Sequence, residues 1–182
     1  MEFTGKGSGG PLSIKTKYRL EYDGTAKITL TMAPAEDGKK AKLDSLQLVI
    51  PFTKAGATHM MANGMDFRLS NMMKYVPEKL GVVWTSKEVP YQKMTVGSFV
   101  PIVFLGNLSS GITWFAASDK GWWPSDAKPA TEIVRTAEGP VEMIFNLASE
   151  SVEFVEPREI VFGLHVAPSR PISPYRSPTV VV

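Results

Sequence analysis

Cysteine is absent, and with it disulfides, thiolate nucleophiles and zinc–thiolate sites. That absence does not decide the compartment. Histidine is nearly absent too, with His59 and His165 the only two. No G-x-S-x-G, H-E-x-x-H, phosphate-binding loop or dinucleotide fingerprint occurs. No window approaches the roughly 18 apolar residues of a membrane helix. The opening MEFTGKGSGGPLS holds no apolar run of the kind a signal peptide carries, although a leader removed beforehand would leave the same start. Charge of one sign is scarce as well: the net charge is +2 and the lysines are dispersed. The one dense cluster, Lys39-Lys40-Ala41-Lys42, follows Asp37-Gly38 and reads as a solvated turn within Ala35–Lys42, not a nucleic-acid patch. No amphipathic helix of three turns can be traced.

What is present is a chain of 182 residues, 43% of them hydrophobic, enough for one domain with a sizeable core. Its 15 glycines and 14 prolines are spread along the chain, which favours short elements and many turns. The stretch Val100–Trp123 stands at its centre. Two apolar runs, Ile102–Leu105 and Ile112–Ala116, flank Gly106-Asn107-Leu108-Ser109-Ser110-Gly111 and predict a hairpin. Both runs are apolar at consecutive positions, so each strand is covered on both faces or shows one apolar face to a partner.

Alternation predicts the other strands. Ile14, Thr16, Tyr18, Leu20 and Tyr22 alternate with charged residues, and Ala26, Ile28, Leu30 and Met32 alternate with Lys27, Thr29 and Thr31 beyond Asp23-Gly24. A two-residue turn would set Leu20 against Lys27. A three-residue loop, Tyr22-Asp23-Gly24, pairs Leu20 with Ala26 and Tyr18 with Ile28, keeps the apolar faces together and is the expected register. Further strands are expected over Leu46–Phe52, Gly81–Ser86, Glu132–Thr136, Val141–Leu147, Val152–Glu156 and Arg158–Val166. In the last of these, Ile160, Phe162, Leu164 and Val166 mark the buried face. Lys54–Pro77 carries five methionines without a clear period. It is expected to be irregular, with a strand over Thr58–Ala62 and one helical turn over Asn71–Tyr75 as the options. The fold class that follows is all-β, an antiparallel two-sheet β-sandwich with little helix. The sandwich spans residues 1–167. Residues 168–182, with prolines at 168, 171, 174 and 178, form an extended tail or linker.

The chemistry-bearing candidates are few. His165 lies on the opposite parity to Phe162 and Leu164, a sheet-surface position. Asp126 and Glu132 read as ordinary loop or strand-edge carboxylates, and Asp23 as a turn former. Ligand or domain-interface candidates are Trp114, Asp119, Trp122 and Trp123, since three of the four tryptophans fall within ten residues. Trp114 and Phe115 are adjacent on a strand, so one enters the core and the other must face something else. Trp122 and Trp123 either plug the end of the sandwich or offer a flat surface to a sugar ring or another domain. At least one of the two is expected to be exposed, because two consecutive loop tryptophans do not easily share one core. No metal or cofactor set is legible.

The segment VFLGNLSSGITWFAASDKGWWP resembles one in bacterial glycoside-hydrolase-like proteins related to glycoside hydrolase family 123, whose studied members are β-N-acetylgalactosaminidases. The Trp-Phe and Gly-Trp pieces keep their order and spacing. The resemblance extends to LEYDG at Leu20–Gly24, LQLVIP at Leu46–Pro51, Glu132–Arg135 and EIVFGLHVAPSRP at Glu159–Pro171. It implies an N-terminal β-sandwich, galactose-binding or supersandwich-like, ahead of a (β/α)8 barrel that holds an Asp-Glu catalytic pair. No residue of this chain matches that pair, and none is carried over. The expected role is thus a non-catalytic accessory domain, with a parent glycoside hydrolase that is periplasmic or extracellular. Its partners would be the C-terminal barrel or a carbohydrate, with neither nucleic acid nor membrane. The alternative is an independent carbohydrate-binding module using exposed tryptophans.

Overall fold

The computed structural model describes residues 1–36, 39–64, 73–89 and 98–169. The Pro-rich tail from residue 170 onward lies outside them. All the sheet pairings are antiparallel, and helix among the described residues is limited to the 3-10 turn Ser86–Glu88 and a 3-10 residue at Ser98. The protein is a β-sandwich.

The larger sheet begins with β1 (Glu2–Gly9), β2 (Leu12–Leu20) and β3 (Thr25–Pro34). β2 and β3 join in the predicted register, Leu20 against Ala26 and Tyr18 against Ile28. The Glu21 N–H donates to the Thr25 carbonyl at 2.8 Å, which leaves Tyr22-Asp23-Gly24 as the loop, with Gly24 at φ +88°. The Thr25 N–H donates to Asp23 Oδ1 at 2.9 Å. That hydrogen bond, then the one from the Thr25 side chain, lowers the pKa of the Asp23 carboxyl. The sign follows: the turn's gain is complete above the ordinary aspartate range and is lost as pH falls through the lowered value. An NMR pH titration should find the Asp23 carboxyl protonating below an unstructured aspartate; a midpoint at or above that value would contradict the contact.

The same sheet takes in β6 (His59–Asn63), β7 (Lys74–Tyr75), β9 (Ile102–Gly106), β10 (Gly111–Phe115) and β14 (Arg158–Ala167). Its order is β1-β2-β3-β14-β10-β9-β6-β7. The β9–β10 hairpin is closed by Asn107, whose Oδ1 accepts from the Ser109 and Ser110 N–H groups at 2.8 Å each. The second sheet has the order β5-β12-β11-β8, from β5 (Leu46–Phe52), β12 (Val141–Ala148), β11 (Thr131–Arg135) and β8 (Gly81–Thr85). A short pair joins β4 (Ala41–Leu43) to β13 (Val152–Phe154).

The two sheets meet over one core. Ile28, Met32, Met60, Val103, Leu105, Trp114, Ile160 and Phe162 come from the first, and Trp84, Ile133, Val141, Met143, Phe145 and Leu147 from the second. Trp114 joins them directly, stacked on Phe145 with ring centroids 4.2 Å apart.

Four expectations change. β1 was not foreseen, because Glu2–Gly9 has no apolar face; it exists by main-chain pairing with β2 and stays exposed. Ala35–Lys42 is not wholly a turn, since Ala41 is buried and opens β4. Lys74 and Tyr75 pair with Met60 and His59 as a strand, not a helical turn; residues 71 and 72 lie outside the described residues. Val166 is exposed, because β14 runs past the edge of the core beneath it.

Candidate functional site

Trp114, Asp119, Trp122 and Trp123 do not share one surface. Trp114 is 1% exposed and Trp122 5%. Trp122 meets Phe99 at 5.6 Å, Trp114 at 6.1 Å and Phe145 at 6.5 Å, all edge-to-face, so it belongs to a buried aromatic cluster. Trp123 is half-buried: its ring tilts against Phe154 at 4.5 Å, and the Arg158 guanidinium lies 3.8 Å from its centroid. Asp119 is half-buried, and its main-chain carbonyl accepts the Trp122 N–H at 3.0 Å. The expectation of an exposed indole at 122 or 123 is therefore corrected. Consecutive tryptophans both find cover because they point to opposite sides of a pinned segment. The Trp123 N–H donates to the Leu147 carbonyl at 2.7 Å, which docks this segment beside β12 and drives Trp122 between the sheets.

The loop that delivers them is held at Gly121. Its φ is +89°, and a Cβ there would stand 2.2 Å from the Glu159 carbonyl oxygen. Backbone thus lies directly on backbone, and the loop walls a groove on the outer face of the larger sheet.

That face carries the side chains of opposite parity to the core. Lys27, Gly163, Phe115, Ile102 and Asn63 form one row across β3, β14, β10, β9 and β6. In the next row Thr25, His165, Thr113, Phe104 and Met61 follow, with Thr25 Oγ1 and His165 Nδ1 hydrogen-bonded at 2.9 Å. Phe115 is 36% exposed, and its ring lies across Gly163, where an added Cβ would stand 2.1 Å from it. A glycine beside an aromatic on the next strand lets the ring lie over the sheet and cover the bare backbone.

The resulting groove has a volume of about 820 Å³. Phe115, Val161 and Gly163 line it with Lys27, Lys120 and Glu159, which sets two cations and one carboxylate around an apolar floor; Arg158 also borders it, but its guanidinium is stacked on Trp123. Such a surface can stack a ring and meet polar or anionic substituents. Among the described residues no group of three or more His, Asp or Glu could hold a metal ion. Phe115 was not among the predicted site residues. Its signal was available, since strand parity sends Phe115 outward once Trp114 enters the core.

No protein-family model matches the chain, and no similar curated protein or solved structure was found.

Proposed function

We propose that this chain is a non-catalytic β-sandwich accessory domain of a glycoside-hydrolase-like protein, acting by binding. The observation that supports this reading is the groove over Phe115, an apolar floor with a charged rim on the outer face of the larger sheet. It offers a seat for a surface of the catalytic barrel or for a sugar ring at its edge. Grooves of this size suit ligands whose ring stacks while a few polar groups orient it. The alternative, an independent carbohydrate-binding module, would use Phe115 as its stacking ring in place of the buried tryptophans.

The test has two arms. One titrates the 182-residue chain with a panel of hexose and hexosamine oligosaccharides; the other looks for co-elution with a separately expressed barrel of the parent protein. Phe115→Ala should abolish whichever association is found. Its ring is partly in water, so the substitution should cost less than half of the roughly 3–5 kcal/mol of a buried aromatic truncation. Wild-type protein that binds neither probe, or a variant that binds unchanged, would overturn the reading.

A further inference from the structure

A second cavity, of about 630 Å³, shares no residue with the groove over Phe115. It lies where β5 gives way to β6 and where the chain leaves β7. Lys54, Thr58, Tyr75, Glu78 and Arg135 line it.

Arg135 is its unusual member. It ends β11 on the same parity as Thr131 and Ile133, whose side chains are buried between the sheets. An arginine therefore faces inward at the mouth of the sandwich and is only 6% exposed. Its Nε donates to the Pro77 carbonyl at 3.1 Å. Its Nη1 is buried without an acceptor, and among the described residues no carboxylate forms an ion pair with it. A buried cation with an unmet donor nitrogen is costly, and a group in that condition calls for a missing partner.

The surroundings indicate what kind of partner. Lys54 adds a second, exposed cation. Tyr75 is 76% exposed and is steadied by the His59 ring, 4.5 Å away between centroids. Thr58 Oγ1 is hydrogen-bonded to His59 Nδ1 at 2.9 Å, which fixes that ring in turn. Glu78 is the one carboxylate in the lining. A bare inorganic anion would satisfy Arg135 and Lys54 but offer Glu78 nothing. A ligand that carries both a carboxylate and hydroxyl donors meets all three.

We propose that this cavity binds a small hydroxylated carboxylate, a uronic acid being one such molecule. The carboxylate accepts from Arg135 and Lys54, the ring lies against Tyr75, and a ligand hydroxyl donates to Glu78. Charge-assisted hydrogen bonds to guanidinium supply the selectivity for the acid over its neutral counterpart. The site is independent of the groove over Phe115 and of the accessory-domain reading.

The experiment follows proton–nitrogen correlation spectra of the full chain during titration with sodium D-glucuronate, D-glucose and sodium sulfate. Glucuronate should give saturable shifts at Thr58, Tyr75 and Arg135. Glucose, which lacks the carboxylate, should bind at least about tenfold more weakly, and sulfate likewise. Lys54→Gln and Tyr75→Ala should each weaken glucuronate about three- to tenfold. Both positions are exposed, so these variants test the site even where Arg135→Lys fails to fold. The proposal is overturned by any of three results: no saturable shift up to about 50 mM glucuronate, glucose or sulfate binding as well as glucuronate, or unchanged affinity in both surface variants.

Discussion

Trp122→Ala should destabilise the domain by about 3–5 kcal/mol, the cost of truncating a fully enclosed aromatic. Loop tryptophans are commonly surface features, so this expectation depends on geometry. Trp122 inserts edge-on between Phe99, Trp114 and Phe145, contributed by the segment before β9, by β10 and by β12. Removing it empties the junction of the two sheets. Neighbouring rings cannot collapse into the space without leaving the edge-to-face and stacked arrangements that join them. Trp123→Ala should cost about 1–2 kcal/mol, because it loses a half-exposed ring contact with Phe154 and the stacked Arg158 guanidinium. Urea unfolding of the two variants measures the difference, and acrylamide quenching of each reports which indole remains shielded. Equal, small losses at both positions would mean that Trp122 is not a core residue.

Gly121→Ala should be the most damaging single-methyl substitution in the loop. At φ +89° a non-glycine residue costs about 1–3 kcal/mol. The new Cβ would also stand 2.2 Å from the Glu159 carbonyl oxygen, and forced overpacking adds about 1–3 kcal/mol. The obstructing atom is backbone of β14, so no side-chain rotation relieves it. Gly24 provides the contrast: its φ of +88° is almost the same, yet nothing lies within 4 Å of an added Cβ. Gly24→Ala should therefore carry the conformational cost alone. Urea midpoints for both variants separate the two contributions. Similar losses at the two glycines would show that the loop is not pressed onto β14.

Much of the sheet architecture was legible because a half-buried strand writes its faces into the chain with period two. Residues 14–32 carry that alternation on both arms of one hairpin, and a slip of one residue would have set apolar side chains against charged ones. The observed pairing of Leu20 with Ala26 follows from this, and Gly24 supplies the left-handed residue the loop needs. The split between Trp114 and Phe115 was legible for the same reason, although which of them faced the core was not.

Other features had no local signature. β1 is built from Glu2–Gly9, whose side chains are small or polar apart from a largely exposed Phe3 and bury almost nothing; only the unpaired edge of β2 creates a strand there. Arg135 has the parity of a core position, but its charge argues against one. Its place is decided by the opening beside Pro77 and Tyr75, residues far from it in sequence.

The sequence by itself determined the class of the fold, the positions of most strands and the register of the β2–β3 hairpin. Each depends on side-chain alternation and turn chemistry within a few residues. Only the tertiary structure decided which aromatics are core and which are surface. Trp122 is buried because Phe145 and Phe99, more than twenty residues away on either side, leave a space of its shape between the sheets. Phe115 lies open because Gly163, on the neighbouring strand, leaves room for its ring to rest on the backbone. Burial depends on what stands across the gap, and that is set by the packing of distant strands, not by the order of residues along one of them.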